Sequence, residues 1–159
     1  MLKKILLVLV PVILSGCNGQ SDQEIISQAK ESVTQGLKSA YKPDQCLRSK
    51  IIENGGLSRK GSAVANCDSS INPNKEITFS ELKVYRHKDY NSVCGIVSGS
   101  TDISRIGARF AYSSAEKDSP FLYYSKYPII EGAQKNKENT QVMNIIRNQY
   151  EIERMAKCK

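Results

Sequence analysis

The hydrophobic period of this chain changes once, near Ile77, and that change limits the kind of fold open to it. Before it, Ile25, Ile26, Ala29, Val33, Leu37 and Ala40 recur at helical spacing with Gln, Lys, Glu and Ser between them, which predicts an amphipathic helix. Ser21 with Glu24 three residues on reads as a capping box at its start, and Pro43 stops it near Tyr41. After the change, Ile77 to Tyr85, Val93 to Val97, Arg105 to Tyr112 and Phe121 to Tyr127 form runs bounded by turn residues: Lys88 to Asn91, Ser98 to Asp102, and Ala115 to Pro120. Connections this short suit hairpins, so the expectation is an antiparallel meander of three or four strands. The fold class that follows is α+β.

Two further helices complete the reading. Asp44 is placed to cap a short second helix through Cys46, Leu47, Ile51 and Ile52, with Asn54-Gly55-Gly56 as a left-handed stop. Leu57 to Lys75, rich in Ser, Gly, Asn and Lys, reads as an irregular surface loop. Beyond Gly132 the chain is polar up to Asn139. Val142, Ile145, Ile146, Gln149 or Tyr150, Ile152, Met155 and Ala156 then recur at three and four, predicting a terminal amphipathic helix.

The first residues specify an address. Lys3 and Lys4 precede Ile5 to Leu14, an apolar run laid out as a secretory signal. As a helix it reaches only about 15 Å, roughly half of a bilayer's hydrocarbon core, so it cannot span. With Leu14-Ser15-Gly16-Cys17 at its end, the chain resembles a bacterial lipoprotein precursor. The resemblance covers residues 1–18. It implies that residues 1–16 are removed as signal peptide and that Cys17 carries a thioether-linked diacylglycerol and further acylation, palmitate included. Residues 17–20 are then a lipidated tether and residues 21–159 a single domain. Two or three acyl chains anchor stably where one holds marginally, at about 0.8 kcal/mol per buried methylene. Asn18 departs from the Asp that in enterobacterial members favours the inner membrane, which points to the outer membrane, facing the periplasm. Separately, Val93-Cys94-Gly95-Ile96-Val97 followed by Gly107-Ala108-Arg109-Phe110 is similar to strands of small cell-envelope proteins, a likeness that transfers no activity.

Removal of the signal leaves about 143 residues, one domain's worth. It takes the formal charge from +7 to +5 as Lys3 and Lys4 leave. The basic residues are spread along the chain, and in a periplasmic compartment no nucleic acid is expected as a partner. A mild attraction to anionic headgroups or an acidic protein would fade beyond about 10 Å. With Cys17 committed to lipid, Cys46, Cys67, Cys94 and Cys158 remain for disulfides in an oxidising compartment. Three pairings are open. Cys46–Cys67 with Cys94–Cys158 is favoured, because the first closes the Gly/Ser/Asn-rich loop and the second ties the final helix to the sheet. These closures are worth about 3 and about 4 kcal/mol on the chain-entropy account.

Site chemistry is sparse. One histidine, His87, lies seven residues before Cys94, and there is no Cys-x-x-Cys, His-Glu-x-x-His or calcium-hand spacing, so neither metal nor cofactor is expected. Asp102 and Asp118 flank the third strand, and Glu76 and Glu81 flank or lie in the first. They are the carboxylates open to a cell-wall or envelope hydrolase, though acidic residues beside turns ordinarily serve the turns. Tyr85, Tyr90, Tyr112, Tyr123, Tyr124 and Tyr127 share the sheet segment with Arg86, His87, Lys88, Arg105, Arg109 and Lys126. Tyr and Arg dominate binding hot spots, and Arg86, Tyr90, Arg109 and Tyr124 represent such a partner-binding face here. The alternative is that the tyrosines are strand formers packing their rings. The leading expectation is a non-catalytic lipoprotein that binds an envelope protein of a secretion or conjugation apparatus, an exclusion or immunity target, or an enzyme that it inhibits. The others are the carboxylate hydrolase and a structural lipoprotein whose first helix lies on the bilayer. Core packing is the expected use of that helix, since its polar face is mixed in charge and its stripe lacks Trp and Phe.

Overall fold

The computed structural model describes residues 19–131 and 137–159, so the signal run and Cys17 lie outside the described residues. Helix α1 (Asp22–Ala40) starts on the expected capping box. The Ser21 N–H donates to the Glu24 carboxylate at 2.7 Å and the Glu24 N–H donates back to Ser21 Oγ at 3.3 Å. The bond from the Ser21 backbone holds the Glu24 carboxyl below its ordinary range. The stripe Ile25, Ala29, Val33 and Leu37 is at most 1% exposed, so it is spent on the core and is not free to lie on a bilayer.

What covers that stripe is a four-stranded antiparallel sheet in the order β1 (Ile77–Arg86), β2 (Asn91–Ser100), β3 (Arg105–Ser113), β4 (Leu122–Tyr124). Alternation decides which side chains meet α1. Phe79, Val97, Ala108 and Tyr124 are in register across the four strands, and Val84, Val93 and Tyr112 across three, all facing the α1 core together with Phe110. Burial of each large member is worth about 1.5–3 kcal/mol. A bulge breaks the β1–β2 register between Ser80 and Lys83, where Glu81 takes a left-handed φ of 53°. It drops Leu82 onto Gly95, where a Cβ would stand 2.7 Å from Leu82 Cδ2, so the bulge and this glycine need each other.

The sheet's second face carries Lys83 and Cys94 in one row and Ser80, Ile96, Arg109 and Tyr123 in the next. Helix α5 (Lys137–Lys157) lies across it. Tyr150 stacks on Tyr123 with ring centroids 5.1 Å apart, Cys94 is bonded to Cys158, and Ser92 Oγ donates to the Lys157 carbonyl at 2.5 Å. The Lys157 ammonium reaches Glu116 at 2.6 Å and Glu153 at 2.5 Å, which outweighs its burial and raises its pKa.

Four local expectations are corrected. Helix α2 (Pro43–Asn54) is entered through Lys42 with Pro43 in the first turn, its φ already helical, so Asp44 is inside the turn and does not cap. Helix α3 (Ser62–Cys67) stands where a loop was expected. Its first turn is satisfied by the Glu53 carboxylate, which accepts the Gly61 and Ala63 N–H groups at 2.7 Å each. Those bonds hold the Glu53 carboxyl below its ordinary range. The fourth strand is only Leu122–Tyr124, followed by one helical turn, α4 (Pro128–Glu131). Lastly, α5 begins at Lys137 and turns Tyr150 and Lys157 inward, leaving Val142, Ile145, Ile152 and Met155 exposed.

The end of α2 is as expected in kind: Gly56, at φ 73°, closes a Schellman pair in which Gly56 N–H meets the Glu53 carbonyl and Leu57 N–H the Ile52 carbonyl, both at 3.0 Å. Both favoured disulfides are present, with Cα–Cα distances of 4.4 Å for Cys46–Cys67 and 5.9 Å for Cys94–Cys158. Among the described residues no helix is long and apolar enough to cross a membrane.

Candidate functional site

The four residues singled out for a tyrosine/arginine face do not form one face, although Arg109 and Tyr124 both border a hollow of about 360 Å³ beside β3 and β4. Arg109 stands on the α5 side of the sheet, in a groove of about 350 Å³ that it lines with Lys83, Tyr85, Ile96, Tyr150 and Arg154. Tyr124 points to the other side, against the α1 core, where burial pushes its hydroxyl up to about 12. Arg86 clasps the start of α1, meeting Asp22 at 2.6 Å and the Gln20 carbonyl at 2.8 Å. Tyr90 stacks on His87 and donates to the Ala156 carbonyl at 3.1 Å.

The groups that carry chemistry are likewise in use. His87 Nε2 lies 3.0 Å from Ser92 Oγ, the spacing of a base and its hydroxyl, but Ser92 is 0% exposed and gives its proton to Lys157. No substrate carbonyl can reach it. Asp102 precedes the nine-residue β3, and Asp118 follows it in the loop that leads to β4. Asp102 accepts from Tyr41 Oη at 2.7 Å and from Asn72 Nδ2 at 3.0 Å. Glu76 precedes β1 and Glu81 sits on its bulge, both exposed. Among the described residues no group of His, Cys, Asp or Glu is arranged to hold a metal.

The lobe formed by α2 and α3 has the features of a binding surface. It is first made rigid within itself by the Cys46–Cys67 bond, by Gln45 Nε2 donating to Asn66 Oδ1 at 3.0 Å, and by Glu53. Two polar networks then fasten it to the sheet. In one, Asp68, with a side chain only 10% exposed, accepts from Thr101 Oγ1 at 2.8 Å, from Ser104 Oγ and from Lys126 Nζ. Burial pushes the Asp68 carboxyl up, and the bonds from Lys126, Ser104 and Thr101 outweigh it and hold it low. In the other, Tyr41 at the end of α1 joins Asp102 and Asn72. Burial first and the Asp102 bond second push the Tyr41 hydroxyl up to about 12.

A tyrosine raised above its ordinary 10 adds stability that is whole below pH 10 and is lost as pH rises towards its folded value, because the unfolded state releases the proton first. Denaturant unfolding followed from pH 8 to 12 should therefore show a fall that starts near 10, to which Tyr41 and Tyr124 both contribute. Tyr41→Phe should make that fall shallower. An unchanged slope in this variant would show that the Tyr41 hydroxyl is not held as described.

On this frame the apolar residues are left outside. Cys46 is buried, which turns the opposite side of α2, with Leu47 and Ile51 one helical turn apart, to solvent. Ile52, Leu57 and Val64 are exposed on the same lobe, Ile103 on the neighbouring β2–β3 turn, and Ile129 on α4, which packs against α3. These are seven of the eleven exposed large hydrophobics among the described residues, and the other four are all on α5. Single exposed leucines need no explanation, whereas a grouped patch marks an interaction surface. A hollow of about 500 Å³ lies between α3 and α4, lined by Arg59, Lys60, Ala65 and Ile129. Another of about 550 Å³ lies along α2, lined by Tyr41, Pro43, Gln45 and Arg48. Exposed apolar side chains interspersed with charged ones are what protein interfaces present. The sequence signal for it was the Leu47/Ile51 pair offset from Cys46. No family model, curated protein or solved structure matches the chain.

Proposed function

We propose that the chain is a cell-envelope lipoprotein, anchored through acyl chains on Cys17 in an outer membrane and facing the periplasm, and that its domain binds a protein partner through the α2–α3 lobe. The observation that carries this reading is the grouping of exposed apolar side chains on a rigid lobe at the end of α1 away from the tether. Arg86–Asp22 marks the tether end of α1 and Tyr41–Asp102 the lobe end. A helix of nineteen residues separates them by about 28 Å. A tether of four residues keeps the first end near the headgroups and offers the lobe to the periplasmic space. Arg59 and Lys60, with Arg48 at 4.0 Å from Asp44, suit a partner with an acidic border, whether a secretion or conjugation component, an exclusion or immunity target, or an inhibited enzyme.

Palmitate labelling that disappears in Cys17→Ser is expected. With the partner in hand, Leu47→Asp with Ile51→Asp should weaken binding at least 30-fold, the loss of about 2 kcal/mol typical of a hot spot. Both positions are already in water, so thermal unfolding should stay within a few degrees of the parent. Undiminished binding in the double variant would remove the lobe from the interface.

A further inference from the structure

The second group of exposed apolar residues has a spacing of its own. On α5, Val142, Ile145, Gln149, Ile152 and Ala156 follow one another at intervals of three, four, three and four, the seam of a coiled coil. This is the side turned away from Tyr150 and Lys157, and Ile145 and Ile152 are 67% and 58% exposed on it. We propose that α5 pairs in parallel with α5 of a second copy of this chain, with Val142, Gln149 and Ala156 meeting their own counterparts across a two-fold axis. The inference rests on the lipoprotein reading in one respect, the direction of the pair.

Three observations select a second copy. A 3-4 seam fits another helix. The seam and its borders contain no charge except Glu153, which in a parallel pair faces Asn148 of the other copy, so like charges do not oppose self-pairing. Gln149 sits at the central core position: one Nε2 hydrogen goes to Glu153 of its own helix at 3.2 Å, and the other, with the amide oxygen, can meet the counterpart amide in a parallel homodimer and set the register. The anchor then gives the direction. The α5 C-terminus lies beside the start of α1, since Tyr90 holds the Ala156 carbonyl and Arg86, paired with Asn91, holds Asp22. A parallel pair brings both tethers to one bilayer, whereas an antiparallel pair places them at opposite ends. One seam of about four turns buries less than the roughly 800 Å² per partner of a stable soluble complex, so confinement of two anchored copies to one membrane supplies the rest.

The test is oxidative crosslinking of the full-length, lipidated chain in its own membranes, using Gln149→Cys and Val142→Cys with Arg147→Cys, on the same helix but off the seam, as reference. Both seam variants should form a disulfide-linked species of twice the chain mass at least fivefold above the reference. Adding Ile145→Asp should return them to it. Equal yield at Arg147→Cys, no dimer at either seam position, or adducts of another mass overturn the pair. Dimer at 149 without dimer at 142 overturns the parallel direction. Palmitate labelling of the same samples separates the two readings: labelled protein without dimer removes the pair alone, and unlabelled protein removes the anchor and the direction with it.

Discussion

Asp68→Ala should lower the stability of the domain by about 2–4 kcal/mol, measured by urea unfolding of the oxidised protein. The carboxylate is the common acceptor for Lys126, Ser104 and Thr101, and Thr101 is itself fully buried, so its removal leaves three donors facing a void. Breaking a buried pair by deleting one partner costs about 3–5 kcal/mol. The figure here is set lower because Lys126 is about one third exposed and water can solvate it in part. Asp68→Asn, which keeps an acceptor and loses the charge, should fall between parent and alanine. The pH dependence carries the same signature. A carboxyl whose folded pKa is depressed adds stability above its unfolded value near 3.8, and that stability is lost as pH falls through the folded value. The parent should weaken below pH 4, and Asp68→Asn should lose that part of the acid response. A variant as acid-sensitive as the parent would mean that other carboxylates govern the transition.

The Cys94–Cys158 bond should matter most among covalent features. Its 64-residue separation gives a closure term of about 4 kcal/mol, against about 3 for the 21-residue separation of Cys46–Cys67. The two losses should also differ in place. With Cys94 and Cys158 both replaced by alanine, α5 is left to non-covalent ties such as the Tyr123–Tyr150 stack, the Lys157–Glu116 pair and its bonds to Tyr90 and Ser92, so hydrogen exchange should quicken along α5 while α1 and β2 stay protected. With Cys46 and Cys67 replaced, quickened exchange should be confined to α2 and α3. Equal loss of protection everywhere in either variant would indicate that these elements unfold with the core and not as separate units.

Most of the fold that sequence foretold has a local signature: the Ser21/Glu24 box closes within four residues, the α1 stripe and the alternating strands declare their period within a few, and the sheet meander follows from hairpin-length connections. The disulfide pairing was foretold from the segments that each bond would join. The parts that sequence missed depend on distant partners. Helix α3 owes its start to Glu53, eight residues before Gly61, which a reading of Ser, Gly and Asn content cannot register. Helix α5 shows apolar residues on two sides, and only the position of Tyr123 and Cys94 in the sheet decides which side is inward. The tyrosine/arginine face failed to assemble for the related reason that adjacent residues of one strand, Tyr123 and Tyr124, point to opposite faces. The binding lobe was hidden because its apolar residues sit in short helices of weak periodicity, where a Leu reads as core until its neighbour Cys46 is seen to take the inner position.

The most direct measurement is photo-crosslinking in intact envelopes, with the reactive side chain placed at Ile51 on the lobe or at Lys88 near the tether. A protein adduct of one defined mass from Ile51, abolished by Leu47→Asp and missing from Lys88, is what an anchored domain that presents its lobe to a partner predicts. The same adduct arising from Lys88, with Ile51 reacting only with lipid or with nothing, would contradict it.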